Sequence, residues 1–284
     1  MAGLPLMAWA IEHPWGDDTD AVLDRLHREP ALPPAPAPAR STSALLERIA
    51  PRGVEACERW GPSRVAIVLG SVAPRVDEPL LRLSTTLEAI RERIRSAGPA
   101  YHVAATGAGG AKAIASAGRL LRAGLADAVL AGGIDDGMGA LVLIEKHGDS
   151  FVQLEASAET SGSTDADHLD DAAMERALTR ALAAVGDPAL GYVQLHAPAG
   201  SGLVAVERRV VQSVLGATPS CMLRDPSRPE GAAAGAVGVV LAAASLLRGF
   251  APEPEPRELE HDRVLVHAFS PGGHHVALVL GARP

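Results

Sequence analysis

The sequence predicts an α/β fold in which helices alternate with short buried strands. Three observations carry that reading. Continuous apolar runs of strand length, such as Val65-Ala-Ile-Val-Leu69, are closed by glycine, as strands buried on both faces are. Stretches of helical spacing stand between such runs, as over 78–96 and 170–185. The alternation then repeats in the second half of the chain, which points to an internal duplication and to mostly parallel sheets.

Taken in order, residues 6–12 are an apolar run ended by His13-Pro14 and read as the first strand. Residues 17–28 carry Val22, Leu23 and Leu26 at helical spacing, with Asp17 or Asp18 as the cap. The proline-rich stretch 29–38 fits neither helix nor central strand and reads as an extended surface segment. A helix follows over 41–60, the glycine-closed strand over 64–71, and an amphipathic helix over 78–96. A short strand over 101–106 leads into Gly107-Ala-Gly-Gly110, then a helix over 111–123 stopped by Gly124. Residues 127–131 read as a strand ended by Gly132-Gly133, and 139–145 as another. In the second half, strands are expected over 151–158, 192–196 and 220–223, with helices over 170–185, 204–215 and 232–248. A Pro/Glu-rich surface loop over 252–261 precedes two closing strands, 263–269 and 274–280, around Ser270-Pro-Gly-Gly273.

Composition removes several function classes. With 284 residues and 47% hydrophobic side chains, the chain has material for a large core. Aromatics are only 3%, so that core must be built from Ala, Val, Leu and Ile. The net charge is −8 and no stretch concentrates Lys and Arg, which argues against nucleic acid and against an anionic membrane surface as partners. Cys57 and Cys221 offer neither a disulfide framework nor zinc spacing, so a reducing, cytoplasmic setting is expected. Residues 1–13 lack the positive n-region of a signal peptide. The Ala/Gly-rich run 231–247 is short for a membrane span and reads as a buried helix.

The glycine-rich turn at 107–110 stands where a phosphate loop would stand, after a strand and before a helix. A dinucleotide fingerprint would need a third glycine at position 112, which is Lys112. A Walker loop would need Ser or Thr after that lysine, and Ala113 follows it. Neither pattern holds, and no cofactor or metal is expected.

The same segment carries a different likeness. Val103-Ala-Ala-Thr-Gly107-Ala-Gly-Gly-Ala-Lys-Ala-Ile114 resembles the nucleophile segment of the β-ketoacyl synthases, roughly V-S-T-A-C-A-S-G-x-x-A-I. The stretch from Ala117 to Gly124 and Ala126-Asp-Ala-Val-Leu-Ala-Gly-Gly133 continues the likeness. Gly107 then takes the place of the nucleophilic cysteine. In that family a helix N-terminus lowers the thiol pKa; glycine has no side chain with which to form an acyl-enzyme. Further landmarks of the family are degraded here. Tyr192-Val-Gln-Leu-His196 keeps the histidine of the H-G-T-G-T motif while losing its threonine-glycine pattern, Val204 stands near a family aspartate, and Glu207 remains in register. Arg224 stands at a lysine position and Pro229 at a second histidine position, so one of two donors for an enolate oxygen is lost. Pro271 stands at the phenylalanine of a G-F-G-G gating loop. Asp135-Asp136-Gly-Met-Gly-Ala-Leu-Val-Leu-Ile-Glu145 resembles G-E-G-A-G-V-L-V-L-E, yet it almost abuts Gly133, where active members insert several dozen residues that help line the acyl tunnel. The likeness covers most of residues 64–281; residues 1–63 share only a loose strand–helix pattern.

The resemblance implies a thiolase-like duplicated α/β/α/β/α layered fold, truncated by that internal deletion. It implies a single domain over 1–284 made of two pseudo-repeats, about 1–148 and about 149–284. The implied function is a non-catalytic subunit of the chain-length-factor type that pairs with an active β-ketoacyl-ACP synthase in polyketide, polyene or specialised fatty-acid synthesis. Such a subunit has no catalytic residues of its own; Gly107, His196, Arg224 and Pro229 mark the degenerate positions. Its partner would be an active ketosynthase, with an acyl carrier protein engaged only indirectly. The family dimerises by strand pairing beside the nucleophile segment, which places 103–106 at the interface. Two other readings stand beside this one: a decarboxylase or acyl hydrolase using His196, and a purely structural scaffold of a synthase complex.

Plainer readings apply to the remaining candidates. His196 reads as a satisfied histidine at a strand end, since it has no nucleophile to serve. Cys57 and Cys221 read as small buried hydrophobes. Ser201 lies near His196 in sequence, but nothing supplies an orienting carboxylate or an oxyanion site. His274 and His275, adjacent on a strand, point to opposite faces and do not form a metal pair.

Overall fold

The computed structural model describes residues 2–28, 42–71, 81–135, 138–162, 169–197, 201–222, 231–253, 256–270 and 273–283. The expected extended segment 29–38, the helix start at 78–80, Asp136, Gly137, Arg224, Pro229 and Pro271 lie outside them. Strand β1 (Leu4–Glu12) is followed by α1 (Thr19–Arg28) and α2 (Thr42–Trp60). Next come β2 (Val65–Ser71), α3 (Leu81–Ile94), β3 (Ala100–Ala104), α4 (Gly109–Arg122), β4 (Ala128–Asp135) and β5 (Met138–Glu145). The second half runs β6 (Val152–Ser161), α5 (Asp171–Ala183), β7 (Tyr192–Leu195), α6 (Leu203–Leu215), β8 (Ser220–Met222) and α7 (Ala233–Arg248). A small hairpin of β9 (Phe250–Ala251) and β10 (Arg257–Glu258) leads to β11 (Arg263–Ser270) and β12 (His274–Ala282).

Local chemistry sets the helix ends. Asp18 Oδ1 accepts the Asp20 N–H at 2.8 Å and caps α1, and Asp170 Oδ1 accepts the Ala173 N–H at 2.9 Å and caps α5. Asp135, at the end of β4, accepts the Ala233 N–H at 2.7 Å and so caps α7 from across the fold. Gly124 takes φ +69 just past α4, and Gly249 takes φ +73 just past α7, the left-handed stop that glycine adopts without steric cost.

The main sheet has the order β3-β2-β4-β5-β1-β6-β12-β11-β7-β8. Its two halves repeat one pattern. In each, the first strand pairs antiparallel with the last, the last antiparallel with the fourth, the fourth parallel with the second, and the second parallel with the third. The sheet is therefore mixed, not mostly parallel. The reason is local: β4–β5 and β11–β12 are joined by connections far too short for a parallel crossover, so they pair as hairpins. The two halves meet through a short β1–β6 ladder at Leu4–Leu154 and Pro5–Gln153.

Five layers result. Helices α2 and α3 cover one face of the first half-sheet, where Leu45, Ile49, Leu87 and Ile90 pack on Ile67, Leu69 and Leu130. Helices α4 and α7 lie between the half-sheets in the largest core cluster. Helices α5 and α6 cover the outer face of the second half-sheet through Met174, Leu178, Val210 and Val211. This is the α/β/α/β/α arrangement that the resemblance implied.

Two expectations are corrected here. Strand β4 does not end at Gly132-Gly133 but runs on to Asp135. A Cβ on Gly132 would sit 2.0 Å from Ala140 O, and one on Gly133 2.1 Å from Ala232 O. The two glycines serve the close approach of β5 and α7, not chain reversal. The loop expected over 252–261 contains β10, which pairs with β9. Among the described residues, no helix is long and apolar enough to cross a membrane.

Candidate functional site

The glycine-rich turn leads from β3 into α4. The strand ends at Ala104, two residues sooner than expected, and residues 106–108 form one turn of 3₁₀ helix whose Ala108 N–H bonds Ala105 O at 3.0 Å. Thr106 takes φ +37, a costly conformation for a β-branched residue, and its hydroxyl is buried without a hydrogen-bond partner. Gly107 is buried immediately after it. A tight, strained elbow at a helix start is thus present, and the residue at its tip has no side chain.

The other glycines of the turn are used for packing. A Cβ on Gly70 of β2 would meet Gly109 C at 2.2 Å, and one on Gly110 would meet Ala232 O and Ala236 Cβ, each at 2.7 Å. Gly110 N–H donates to Ala232 O at 2.9 Å, a main-chain hydrogen bond between α4 and the residue preceding α7. The backbone that a phosphate would need is occupied by a second helix and a strand. A Cβ on Gly235 would also lie 3.3 Å from Gly107 O, which places the elbow against the first turn of α7.

His196 follows β7 and is half-buried. Its ring meets Phe269 edge-on at a centroid distance of 5.0 Å. Its backbone N–H donates to Glu207 Oε1 at 3.0 Å, and the Ala197 N–H donates to Glu207 Oε2 at 2.8 Å. Glu207, fully buried on α6, also lies 2.5 Å through Oε1 from His267 Nδ1, while His267 Nε2 lies 3.3 Å from His275 Nδ1. Burial alone pushes the Glu207 carboxyl up, but the hydrogen bonds from His267 and the two amides outweigh it and hold the group below its ordinary range. Burial and the neighbouring His267 push His275 down to about 3. Sequence reading kept Glu207 in register but missed His267. Its one signal was a histidine inside the apolar run Val264-Leu-Val-His267-Ala, a position that demands a buried partner.

A cavity of about 40 Å³ opens beside His196. It is lined by His13, Gln194, His196 and His267 and by apolar side chains including Leu26, Met138, Leu195, Val237 and Leu241. Gln194 Oε1 is buried without a hydrogen-bond partner. The volume exceeds the ~10–15 Å³ that one water needs, so the space suits a few waters and not an acyl chain.

The remaining candidates are dispersed. Ser201 Oγ is buried with no hydrogen-bond partner, so no Ser201–His196 pair forms. Cys221 is buried and its Sγ lies 3.2 Å from Glu253 Oε1; burial, then the Glu253 charge, push the thiol far above its ordinary range and disfavour a reactive thiolate. Burial likewise raises Cys57. His274 and His275 diverge, His274 Nδ1 lying 3.3 Å from Ser161 Oγ while His275 stacks on His267 at 5.6 Å. Among the described residues, no group of three or more His, Cys, Asp or Glu side chains is placed to hold a metal ion.

No protein-family model matches the chain, and no curated protein matches it. Solved structures do. A ketosynthase (ApeO) in complex with its chain length factor (ApeC) from Xenorhabdus doucetiae superposes with a TM-score of 0.82 at 20% identity, covering 99% of this chain and 98% of that one. The ishigamide ketosynthase/chain length factor gives 0.80 at 13% identity, covering 99% of both chains. The oxazolomycin ketosynthase domain OzmH KS8 from Streptomyces albus JA3453 gives 0.79 at 18% identity, covering 100% of this chain and 96% of that one. Over its whole length, then, the chain has the thiolase-like fold of ketosynthases and of ketosynthase/chain length factor pairs.

Proposed function

We propose that this chain is a non-catalytic, ketosynthase-like subunit of the chain-length-factor type, which pairs with an active β-ketoacyl-ACP synthase in polyketide, polyene or specialised fatty-acid synthesis. The observation that carries the reading is Gly107. It stands at the tip of a strained elbow, at the start of the central helix, in a fold shared with ketosynthase/chain length factor pairs. An acyl-enzyme needs a nucleophilic side chain there.

Supporting observations lie around it. His196 has no paired nucleophile in Ser201 or Cys221, and the space beside it holds a few waters. Those features weigh against a decarboxylase or hydrolase built on His196. Arg224, Pro229 and Pro271 enter this reading through the sequence alone. The repeated strand order in the two halves supports one domain of two pseudo-repeats, about 1–148 and 149–284. Two separate, buried, free cysteines fit a cytoplasmic setting.

The partner surface we assign is the β3 edge. Strand β3 ends the sheet, hydrogen-bonded to β2 alone among the described strands, with Tyr101, His102 and Val103 half-buried. An edge with unpaired main-chain groups is a template for another strand. Co-expression with an intact ketosynthase encoded beside it should yield a copurifying 1:1 complex in which only the partner is acylated. A stable homodimer that ignores the ketosynthase would overturn the proposal.

A further inference from the structure

We propose that the groove between α4, the end of β6 and α5 binds a dianionic tetrahedral group, a phosphate or phosphate monoester. The groove encloses about 300 Å³ and is lined by Lys112, Glu159, Thr160, Ser161, Arg176 and Arg180. Every one of those side chains is polar or charged.

The charges do not balance within it. Glu159, its one carboxylate among the described residues, already serves two cations: Lys112 Nζ lies 3.6 Å away, and Arg119 forms a short ion pair with the same group. Arg176 and Arg180 are exposed, stand one turn apart on α5 and form no ion pair among the described residues. Like charges at that spacing repel each other. Two guanidinium groups without an ion pair among the described residues, beside an ammonium, are an unusual concentration in a chain whose net charge is −8.

The donor set selects the ligand. Guanidinium groups grip phosphate oxygens in pairs, and a phosphate offers three strong acceptor oxygens and nearly two negative charges. Three cations drawn from two helices, with the exposed Ser161 hydroxyl at the rim, match the double charge and three oxygens of a phosphate better than the single charge of a carboxylate. The groove also has an internal reporter. His274 lies 3.3 Å from Ser161 Oγ, and burial together with the Lys112 charge holds its pKa below the ordinary value. A dianion bound beside Lys112 reverses the second effect and raises that pKa.

Calorimetric titration of the purified chain with inorganic phosphate, methyl phosphate and acetate tests the proposal, with NMR titration of His274 as a second readout. Saturable phosphate or methyl phosphate binding is expected, with acetate weaker and the His274 pKa raised on saturation. Tighter binding of inorganic phosphate identifies a free anion as the ligand; tighter binding of the monoester identifies a carried phosphate. The double variant Arg176→Ala/Arg180→Ala, both sites exposed, should lose about tenfold in affinity per arginine, and Arg208→Ala on α6 should lose none. The proposal is overturned if neither phosphate binds, if acetate binds equally well, or if the double variant binds as the parent does.

Discussion

At the residue scale, the buried line from the His196 and Ala197 amides through Glu207 to His267 and His275 is the most consequential feature beside β7. Its acceptor, Glu207, takes both amides at the end of β7 and so holds His196 in place through the backbone, not the ring. The line also makes folding sensitive to acid. His275 is pushed from the ordinary 6.5 to about 3, so in the unfolded chain it takes up a proton that the folded chain refuses until far lower pH. Stability contributed by its neutral form is present above about pH 6.5 and is lost as pH falls toward 3, about 2 kcal/mol of it by pH 5. Glu207 adds to the loss below its unfolded value of 4.5, because its folded pKa is lowered. Urea unfolding between pH 7 and pH 5 should show this slope, and His275→Gln should flatten it; an unchanged slope in the variant would assign the effect elsewhere.

At the element scale, the central layer depends on how closely α4 and α7 approach. Gly109, Gly110 and Ala111 on one helix face Ala232, Gly235 and Ala236 on or beside the other, and a main-chain hydrogen bond joins Gly110 to Ala232. Small residues at such a crossing let backbones touch, and a methyl group inserted there has nowhere to go. Gly110→Ala is therefore expected to cost about 2 kcal/mol by overpacking. Gly202→Ala, where an added Cβ meets open space just before α6, should be close to neutral in the same thermal-melt series. The turn that resembles a phosphate loop in sequence is thus a packing device in space. This part of the fold was only half legible: glycine spacing located a strand–turn–helix unit, but the choice between ligand contact and helix contact depends on a helix more than a hundred residues away.

At the scale of the whole molecule, the pairing surface proposed above is the β3 edge, which is hydrogen-bonded to β2 alone among the described strands. A single charge there should discriminate between association and folding. Val103→Asp, on a half-buried edge position, should leave the melting temperature of the isolated chain within a few degrees while abolishing copurification with the ketosynthase, because an edge charge opposes strand addition. Retained copurification would place the interface on another surface.

Sequence by itself determined the elements and their rhythm. Apolar runs closed by glycine gave β2, helical spacing gave α1 and α5, and the motif around Gly107 pointed to the fold, because hydrophobic period and turn chemistry are local properties. Tertiary structure decided the rest. It carried β4 past Gly132 and Gly133 because β5 and α7 close in on them, made the sheet mixed because two connections are too short to cross over, and joined Glu207, His267 and His275 into one buried line. Each of these depends on groups distant in sequence meeting at van der Waals or hydrogen-bond range, and no local pattern encodes which of them will meet.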